Sequence, residues 1–332
     1  MNVVDNTQPS VGVGRLAPSP TGHLHLGHAR SFLIAWWHAR SRAGRIVLRS
    51  EDVDTERVKP GMVEAAIADL LWLGLDWDGE PYMQSSGISE INTAAIRLLD
   101  SGMAYPCICT RKEIQAAASA PHGEMIETIY PGTCRGKFAT LAAAEQASGR
   151  PAALRFAVPD QLIRIKDGIQ GTREFNPATS IGDFPILRRL SMPAYQLAVV
   201  VDDARQNVTE IVRGADLLGS CVRQWLLQEA LGFEHPRWWH VPLVADASGR
   251  RLAKRSDDVS LARLRGAGTD PRRIVAWVAR SVGIEVSGLV RPDEVTAAFD
   301  IQRVPKSEVR VTALDLINFG LPQAAFPDRR LE

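Results

Sequence analysis

The sequence has no long apolar run, few cysteines and almost no net charge, and each shortage excludes a class of protein. No apolar stretch approaches the ~20 residues of a membrane-spanning helix, so we expect no membrane partner. Residues 1–10 lack the basic segment and apolar run of a signal peptide, and we therefore expect a cytosolic location. The chain of 332 residues has four cysteines, which a reducing cytosol favours as thiols or metal ligands rather than disulfides.

The formal net charge is only +1, so the chain is not a polycation. Any nucleic-acid partner must therefore bind a local basic patch. The remaining composition is ordinary, with 45% hydrophobic and 23% charged residues, which is enough apolar material for a core. The length suggests about two domains. Separately, we expect the protein to be a monomer.

The hydrophobic pattern predicts an α/β fold with a parallel sheet of the Rossmann type. Strands near residues 11–17 and 45–49 flank a helix over 26–42, and a strand–helix–strand unit of this kind begins a parallel sheet. The pattern also predicts helices over 60–73 and 217–231 and strands at 196–201 and 239–244.

An irregular region that holds three of the cysteines interrupts this alternation. Segments 154–158 and 162–165 alternate apolar and polar residues, which predicts antiparallel strands and hence an insertion. After Leu261 the pattern is helical, with Asp270 as a cap and Pro271 as a first helical residue. The predicted division is a first Rossmann half at 11–104, an insertion at 105–190, a second half at 191–261 and a helical appendage at 262–332.

Residues 18–28 follow a predicted strand and enter a predicted helix, which is where an open parallel sheet binds ligands. The start of the helix offers N–H groups and a positive dipole end to phosphate, and Gly27 allows a close approach to the backbone. His25 and His28 can donate hydrogen bonds to phosphate oxygens as negative charge develops. Alone, His-X-Gly-His indicates little more than an exposed turn, but the whole segment after a strand is far more specific.

Charged residues near the ends of predicted strands form a candidate site for an acidic amino acid. Such a ligand needs a carboxylate for its ammonium group and an arginine for its side-chain carboxylate. Glu51 suits the first role, and Arg15 and Arg213 suit the second. Tyr195 adds a hydroxyl without charge. The competing interpretation is that these groups form structural ion pairs.

A basic loop at residues 250–256 follows the predicted strand 239–244. A mobile basic loop can hold ATP phosphates while the α-phosphorus is attacked, and Lys254 is the candidate for the main phosphate ligand. The competing interpretation is a solvated surface loop.

The cysteines of the insertion can bind one structural zinc ion as thiolates. They are Cys107, Cys109 and Cys134. A tetrahedral site needs a fourth ligand, for which Tyr130 and His122 are both candidates. The alternative is three unligated thiols, and Cys221, on a predicted apolar helix, is expected to be part of the core.

Taken in order, these segments resemble the glutamyl and glutaminyl branch of class I aminoacyl-tRNA synthetases. Residues 15–28 resemble its HIGH region, and residues 49–54, 194–203 and 212–217 resemble further motifs. The resemblance implies a Rossmann-type catalytic domain that uses ATP, with Mg²⁺, and L-glutamate, and it places His25, Gly27 and His28 at the ATP. The glutamate ligands that it implies are Arg15, Leu16, Ala17, Pro18, Ser19, Glu51, Tyr195 and Arg213.

The basic loop resembles the family's KMSKS loop with two departures. Arg251 replaces a lysine and keeps its charge, whereas Ala253 replaces a serine and loses a hydroxyl. Lys254 keeps the second lysine, so ATP binding and catalysis by Lys254 are expected, at a rate that the departures can reduce.

Residues 130–135 and Val199 resemble a truncated group of glutamyl-synthetase-like enzymes, in which a tyrosine completes a zinc site. This resemblance favours Tyr130 over His122 as the fourth ligand. The stretch after Leu261 is also too short for the anticodon-binding region of a full glutamyl-tRNA synthetase. The truncated enzymes activate glutamate without tRNA and esterify it to queuosine in the anticodon loop of tRNA(Asp). The alternatives are an abbreviated synthetase that charges a tRNA 3′ end, a catalytically silent tRNA-binding paralogue and a different adenylate-forming ligase.

Overall fold

The structure is a computed structural model that describes residues 11–117, 129–190, 192–246, 249 and 259–321. Its strands are β1 Val13–Leu16, β2 Arg45–Ser50, β3 Tyr82–Met83, β4 Ala104–Cys107, β5 Ala153–Phe156, β6 Ile163–Asp167, β7 Gly171–Phe175, β8 Phe184–Arg189, β9 Met192–Pro193, β10 Glu210–Gly214, β11 Arg237–Val241, β12 Val244–Ala245 and β13 Val309–Arg310. Its α-helices are α1 Leu26–Arg40, α2 Met62–Trp72, α3 Ile88–Asp100, α4 Arg111–Ala117, α5 Leu141–Ser148, α6 Pro177–Ser180, α7 Tyr195–Arg205, α8 Cys221–Leu231, α9 Leu261–Gly266, α10 Pro271–Ser281, α11 Pro292–Val295 and α12 Ala313–Asn318.

The predicted parallel α/β sheet is confirmed. Strand β2 pairs in parallel with β1 and with β3, and β10 pairs in parallel with β11. The two groups adjoin at Thr209, whose N–H donates to the Val13 carbonyl at 2.9 Å. The carboxyl ends of β1, β2 and β10 therefore lie at one edge.

Two apolar layers cover the sheet because side chains alternate along each strand. Leu16 and Leu48 join a core that α1 and α10 complete on one face. Val13 and Val47 join a second core, with α3, α7 and α8, on the other face. The faces are thus covered by helices on both sides, as parallel sheets require.

The strand predicted at 196–201 is wrong, because these residues belong to α7. The helix is buried through most of its length, from Leu197 to Asp203, and it packs between α3 and α8. A helix buried on all sides is apolar in every direction, so its short apolar run has the same pattern as a buried strand.

The insertion contains a four-stranded antiparallel sheet in the order β4-β5-β8-β9. The predicted strands at 154–158 and 162–165 exist as β5 and β6, but they belong to different sheets. Strand β6 pairs antiparallel with β7 and joins the parallel sheet through one residue pair, Trp238 with Asp167. That pair joins β6 and β7 of the insertion to the parallel sheet.

Two helix starts differ from expectation. Helix α2 begins after Gly61, which has a φ of 77°, so Pro60 precedes the helix instead of occupying its first turn. The helix predicted over 217–231 is a 3₁₀ turn at Ala215–Ser220 followed by α8.

The appendage after Leu261 is largely helical, as predicted, and it is joined to the sheet region. The Asp270 side chain accepts from the Arg272 N–H and caps α10. Strand β13 pairs in parallel with β12, where the Val309 N–H donates to the Leu243 carbonyl at 3.1 Å. Within the ranges described above, no helix combines the length and apolarity needed to cross a bilayer.

Candidate active site

A cleft of about 590 Å³ opens at the carboxyl ends of β1, β2 and β10. Ten of the predicted site residues line it: Arg15, Ala17, Pro18, Ser19, His25, Gly27, His28, Glu51, Tyr195 and Arg213. Leu16 does not, because its side chain is fully buried in the core below α1. The Leu16 side chain therefore does not line the cleft, and a role for this residue in glutamate binding stays a prediction. Lys254 and its neighbours at 250–256 lie outside the described residues.

Glu51 is held at the cleft wall by three contacts. The Ser19 hydroxyl donates to Glu51 Oε2 at 3.1 Å, and the Glu51 N–H donates to the Pro18 carbonyl at 3.0 Å. Arg49 Nη2 lies 3.5 Å from Glu51 Oε1. Burial raises the pKa of Glu51 and the positive charge of Arg49 opposes that rise, so a cationic ligand would stabilise the carboxylate.

Beneath Glu51 lies a buried ion pair that the sequence analysis missed. Arg49 Nη1 donates to Asp203 Oδ1 at 2.8 Å and to Gln206 Oε1 at 2.9 Å. Arg15 Nε lies 3.8 Å from the same Asp203 oxygen, and Arg15 Nη1 donates to the Val212 carbonyl at 3.0 Å. Asp203 thus fixes both guanidinium groups. Arg49 and Asp203 both lie in segments that resemble family motifs, 49–54 and 194–203, but nothing in the sequence indicated that they pair.

Arg213 is held by acceptors from three elements. Its Nη1 donates to Gln224 Oε1 at 2.9 Å and its Nη2 to the Leu217 carbonyl at 3.2 Å. Its Nε donates to His240 Nε2 at 2.9 Å. The guanidinium also lies 4.7 Å from the centre of the Trp238 ring, a cation–π distance.

Cys221 is buried in the core, as expected, but it also borders the site. Its Sγ lies 3.6 Å from Arg213 Nη2. Burial raises the pKa of the Cys221 thiol to about 11, so it remains a neutral neighbour of the arginine at ordinary pH.

Tyr195 starts α7 and brings a hydroxyl into the cleft. Burial, followed by the negative charge of Glu51, raises its pKa to about 12. The phenol therefore stays protonated near neutral pH and can donate a hydrogen bond to a bound carboxylate.

The two histidines form the start of α1 itself. The Gly27 N–H donates to His25 Nδ1 at 3.1 Å, and the His25 N–H donates to His28 Nδ1 at 3.1 Å. Since each Nδ1 accepts, a neutral ring carries its proton on Nε2. The centroids of the two rings are 3.8 Å apart. The Nδ1 atoms cap the start of the helix, and the Nε2–H groups are donors suited to phosphate oxygens.

The three cysteines of the insertion meet in one cluster. Their sulfurs lie within 4.8 Å of one another, and the sulfurs of Cys109 and Cys134 are 3.5 Å apart. Tyr130 Oη lies 3.4 Å from the sulfurs of both Cys107 and Cys109. A tetrahedral zinc ion with Zn–S bonds of about 2.3 Å separates its sulfur ligands by about 3.8 Å, so this donor set is compatible with zinc. His122 lies outside the described residues.

The cleft therefore combines a carboxylate, two anchored guanidinium groups, a neutral phenol and a helix start capped by histidines. The carboxylate, the guanidinium groups and the phenol complement the charges of a small zwitterion that has a second carboxylate. The helix start complements a phosphate group.

Comparison with known proteins identifies the class. Residues 12–316 match the family model for the catalytic domain of class I tRNA synthetases (E and Q). The chain belongs to this family of class I aminoacyl-tRNA synthetases, which are ligases.

Within that class, it belongs with the glutamyl-Q tRNA(Asp) synthetases. It is 46% identical over 310 residues to the glutamyl-Q tRNA(Asp) synthetase of Symbiobacterium thermophilum. That alignment covers 90% of this chain and 96% of the relative. The protein of the same name from Nocardia farcinica is 44% identical over 305 residues, with coverages of 92% and 94%. A solved glutamate tRNA ligase from Elizabethkingia meningosepticum, in complex with its amino acid, aligns with a TM-score of 0.80 and 27% identity over 93% of this chain and 69% of that one.

Proposed function

We propose that this enzyme activates L-glutamate with ATP and transfers it to queuosine in the anticodon loop of tRNA(Asp). The observation that carries the proposal is the convergence of Arg15, Glu51 and Arg213, from three separate elements, on one cleft beside the histidine-capped helix start. The names of the relatives supply the tRNA part of the proposal.

Glutamate presents an ammonium group and two carboxylates. In the proposed complex, Glu51 binds the ammonium group, and Arg15 and Arg213 bind the side-chain carboxylate with help from the Tyr195 hydroxyl. Glutamine would leave an arginine without its ionic partner in a buried site. We therefore expect discrimination against glutamine on the order of 10⁴, as for other sites that lose a specific polar partner.

The first half-reaction is attack of the glutamate α-carboxylate on the α-phosphorus of ATP, which expels pyrophosphate. A hydroxyl of the tRNA base then attacks the acyl carbon of the mixed anhydride and releases AMP. No side-chain nucleophile is needed, because positioning and charge stabilisation supply the catalysis. His25 and His28 are proposed to donate to phosphate oxygens beside Gly27, and Lys254 to bind phosphate. Mg²⁺ is expected to accompany ATP.

We also propose a structural zinc ion bound by Cys107, Cys109, Tyr130 and Cys134. The clustered sulfurs and the Tyr130 hydroxyl support this ligand set. Its role would be to stabilise the insertion. The four-part division of the chain, a monomeric state and a cytosolic location also stay predictions.

The activation step is tested by ATP–pyrophosphate exchange without tRNA, with glutamate, glutamine and aspartate compared at equal concentration. Exchange with glutamate alone supports the proposal. Equal exchange with glutamine contradicts the glutamate site, and no exchange with any of them favours a silent tRNA-binding protein.

The transfer step is tested with labelled glutamate and tRNA(Asp) that either carries or lacks queuosine. A second pair of substrates has the 3′ terminal nucleotides removed. Transfer that requires queuosine and survives loss of the 3′ end supports the proposal. Transfer that requires the 3′ end indicates an abbreviated glutamyl-tRNA synthetase instead.

A further inference from the structure

A buried chain of three ionisable side chains ends at the cleft. Asp167 at the end of β6 contacts His240 in β11, with Oδ2 and Nδ1 2.6 Å apart. The other ring nitrogen of His240 accepts from Arg213 Nε at 2.9 Å. The three residues are 3%, 0% and 5% exposed in the order Asp167, His240, Arg213, so the chain has almost no access to water except at its arginine end.

The hydrogen-bond direction along this chain is fixed by Arg213. A guanidinium group has only donors, so His240 Nε2 must accept, and the neutral ring must carry its proton on Nδ1. That proton is donated to Asp167. The Asp167 carboxylate is anchored in turn, because the N–H groups of Ile169 and Gln170 donate to its other oxygen at 2.9 and 2.7 Å.

We propose that His240, oriented by Asp167, is a positioning residue that keeps the Arg213 guanidinium aimed at the side-chain carboxylate of the amino-acid substrate, and that it does so only while its ring is neutral. The proposal rests on the glutamate-binding role of Arg213 given above. It assigns to the insertion, which supplies Asp167, an indirect effect on substrate binding through His240 and Arg213.

The surroundings of His240 favour the neutral ring. The groups that face it are Asp167 from β6, Arg213 from β10, Cys221 from α8 and, at longer range, Arg15 from β1. Burial lowers the pKa of His240, the hydrogen bond to Asp167 opposes this shift, and the charge of Arg213 adds to it. A protonated ring would turn Nε2 into a donor facing another donor, so the contact with Arg213 would break.

A matched pair of variants separates the two hydrogen bonds. His240→Asn retains a donor near the Nδ1 position for Asp167 but has no acceptor for Arg213. His240→Gln can place its amide oxygen near the Nε2 position but loses Asp167. In glutamate-dependent exchange, we expect His240→Asn to raise KM for glutamate about 10-fold or more, and His240→Gln by about 3-fold or less. KM for ATP should change by less than about 2-fold in both, since the ATP contacts lie elsewhere.

The pH profile supplies a readout that a purely structural role would not change. In the wild type, KM for glutamate should rise as the pH falls below about 6.5, the ordinary imidazole value, because the lowered pKa of His240 places its protonation below that pH. The rise should disappear in His240→Gln. The pKa of Glu51 is also raised, so a rise that persists in His240→Gln belongs to Glu51 and overturns the proposal.

Three further results, all from the exchange kinetics, would overturn the inference while leaving the proposed function intact: normal glutamate KM in His240→Asn, equal losses in both variants, or a parallel rise in KM for ATP. Failure of the proposed function is a different result, namely no glutamate-dependent exchange in the wild type. Nitrogen NMR of wild-type enzyme with ¹⁵N-labelled histidine tests which ring nitrogen of His240 carries the proton, even if the enzyme shows no exchange activity. The His240 signal, identified by its absence from whichever variant folds, should show Nδ1–H and a bare Nε2 at pH near 7, and the opposite tautomer refutes the proposal.

Discussion

Arg49 and Asp203 form an ion pair of 2.8 Å in which neither side chain is more than 3% exposed. The pair lies directly under the cleft, where Arg49 also faces Glu51 and Asp203 also faces Arg15. It therefore links Glu51 and Arg15, on two walls of the proposed glutamate site, through one buried contact.

Removing one partner of this pair should strongly destabilise the fold. Arg49→Met leaves Asp203 buried without its main counter-charge, and we expect the free energy of unfolding to fall by about 3–5 kcal/mol. Urea denaturation measures this change. Arg164→Met, which removes an exposed pair with Glu174, is the matched control and should cost at most about 1 kcal/mol. Similar losses in the two variants would show that the buried pair has no special role.

Ser19→Ala should weaken glutamate binding specifically. The Ser19 hydroxyl donates to Glu51 Oε2 and favours the carboxylate form, so its loss should raise KM for glutamate by about 3- to 10-fold, the effect of one hydrogen bond. KM for ATP should not change. Exchange kinetics measure both, with Ser148→Ala in α5 as a distant control. An unchanged glutamate KM would remove Ser19 from the site.

Stability should depend on pH through His240. Since its pKa is lowered in the folded protein, the unfolded chain binds the proton first as the pH falls below the ordinary value of about 6.5. The free energy of unfolding should therefore decrease below that pH by up to about 1.4 kcal/mol per pH unit. Urea titrations from about pH 8 to about pH 5.5 test this. His240→Gln should flatten the slope in this range, and an identical slope would contradict the assignment.

The proposed zinc site predicts about one zinc ion per chain by elemental analysis. Cys109→Ser should lower the zinc content to below about half and lower the melting temperature, because it removes one of four ligands. Cys221→Ala is the matched control, since this cysteine lies outside the cluster, and it should keep the full zinc content. Purified protein without zinc, but equally stable, would contradict a structural ion.

Lys254→Ala should slow glutamyl-adenylate formation at least ~10-fold, which corresponds to about 1.4 kcal/mol of transition-state stabilisation. Exchange rates at saturating ATP measure the effect. Lys306→Ala, an exposed lysine of the appendage, controls for a general loss of positive charge. Equal rates in wild type and Lys254→Ala would exclude Lys254 as the phosphate ligand.

The sequence predicted the cleft residues better than the framework that fixes them. Glu51 and Arg213 could be placed because parallel strands end at a common edge, where ligands bind. Asp167 and His240 could not be connected, since strands β6 and β11 meet through a single residue pair distant in sequence. The valine run in α7 was misread because a helix buried on every side has no amphipathic pattern. The burial of the Leu16 side chain away from the cleft was not predicted, although neighbouring strand residues point to opposite faces of the sheet.

The pairing of β12 with β13 restricts where the chain can be truncated or joined to a tag. Leu243 and Val244 line the cleft, and the carbonyls of Leu243 and Ala245 accept from the N–H groups of Val309 and Val311 in the appendage. A deletion that removes β13 and Val311 would thus expose an unpaired strand edge beside the cleft, with a risk of aggregation. Tags and truncation boundaries are better placed beyond α12, so that the pairing of β12 with β13 continues to hold the segment with Leu243 and Val244 in place.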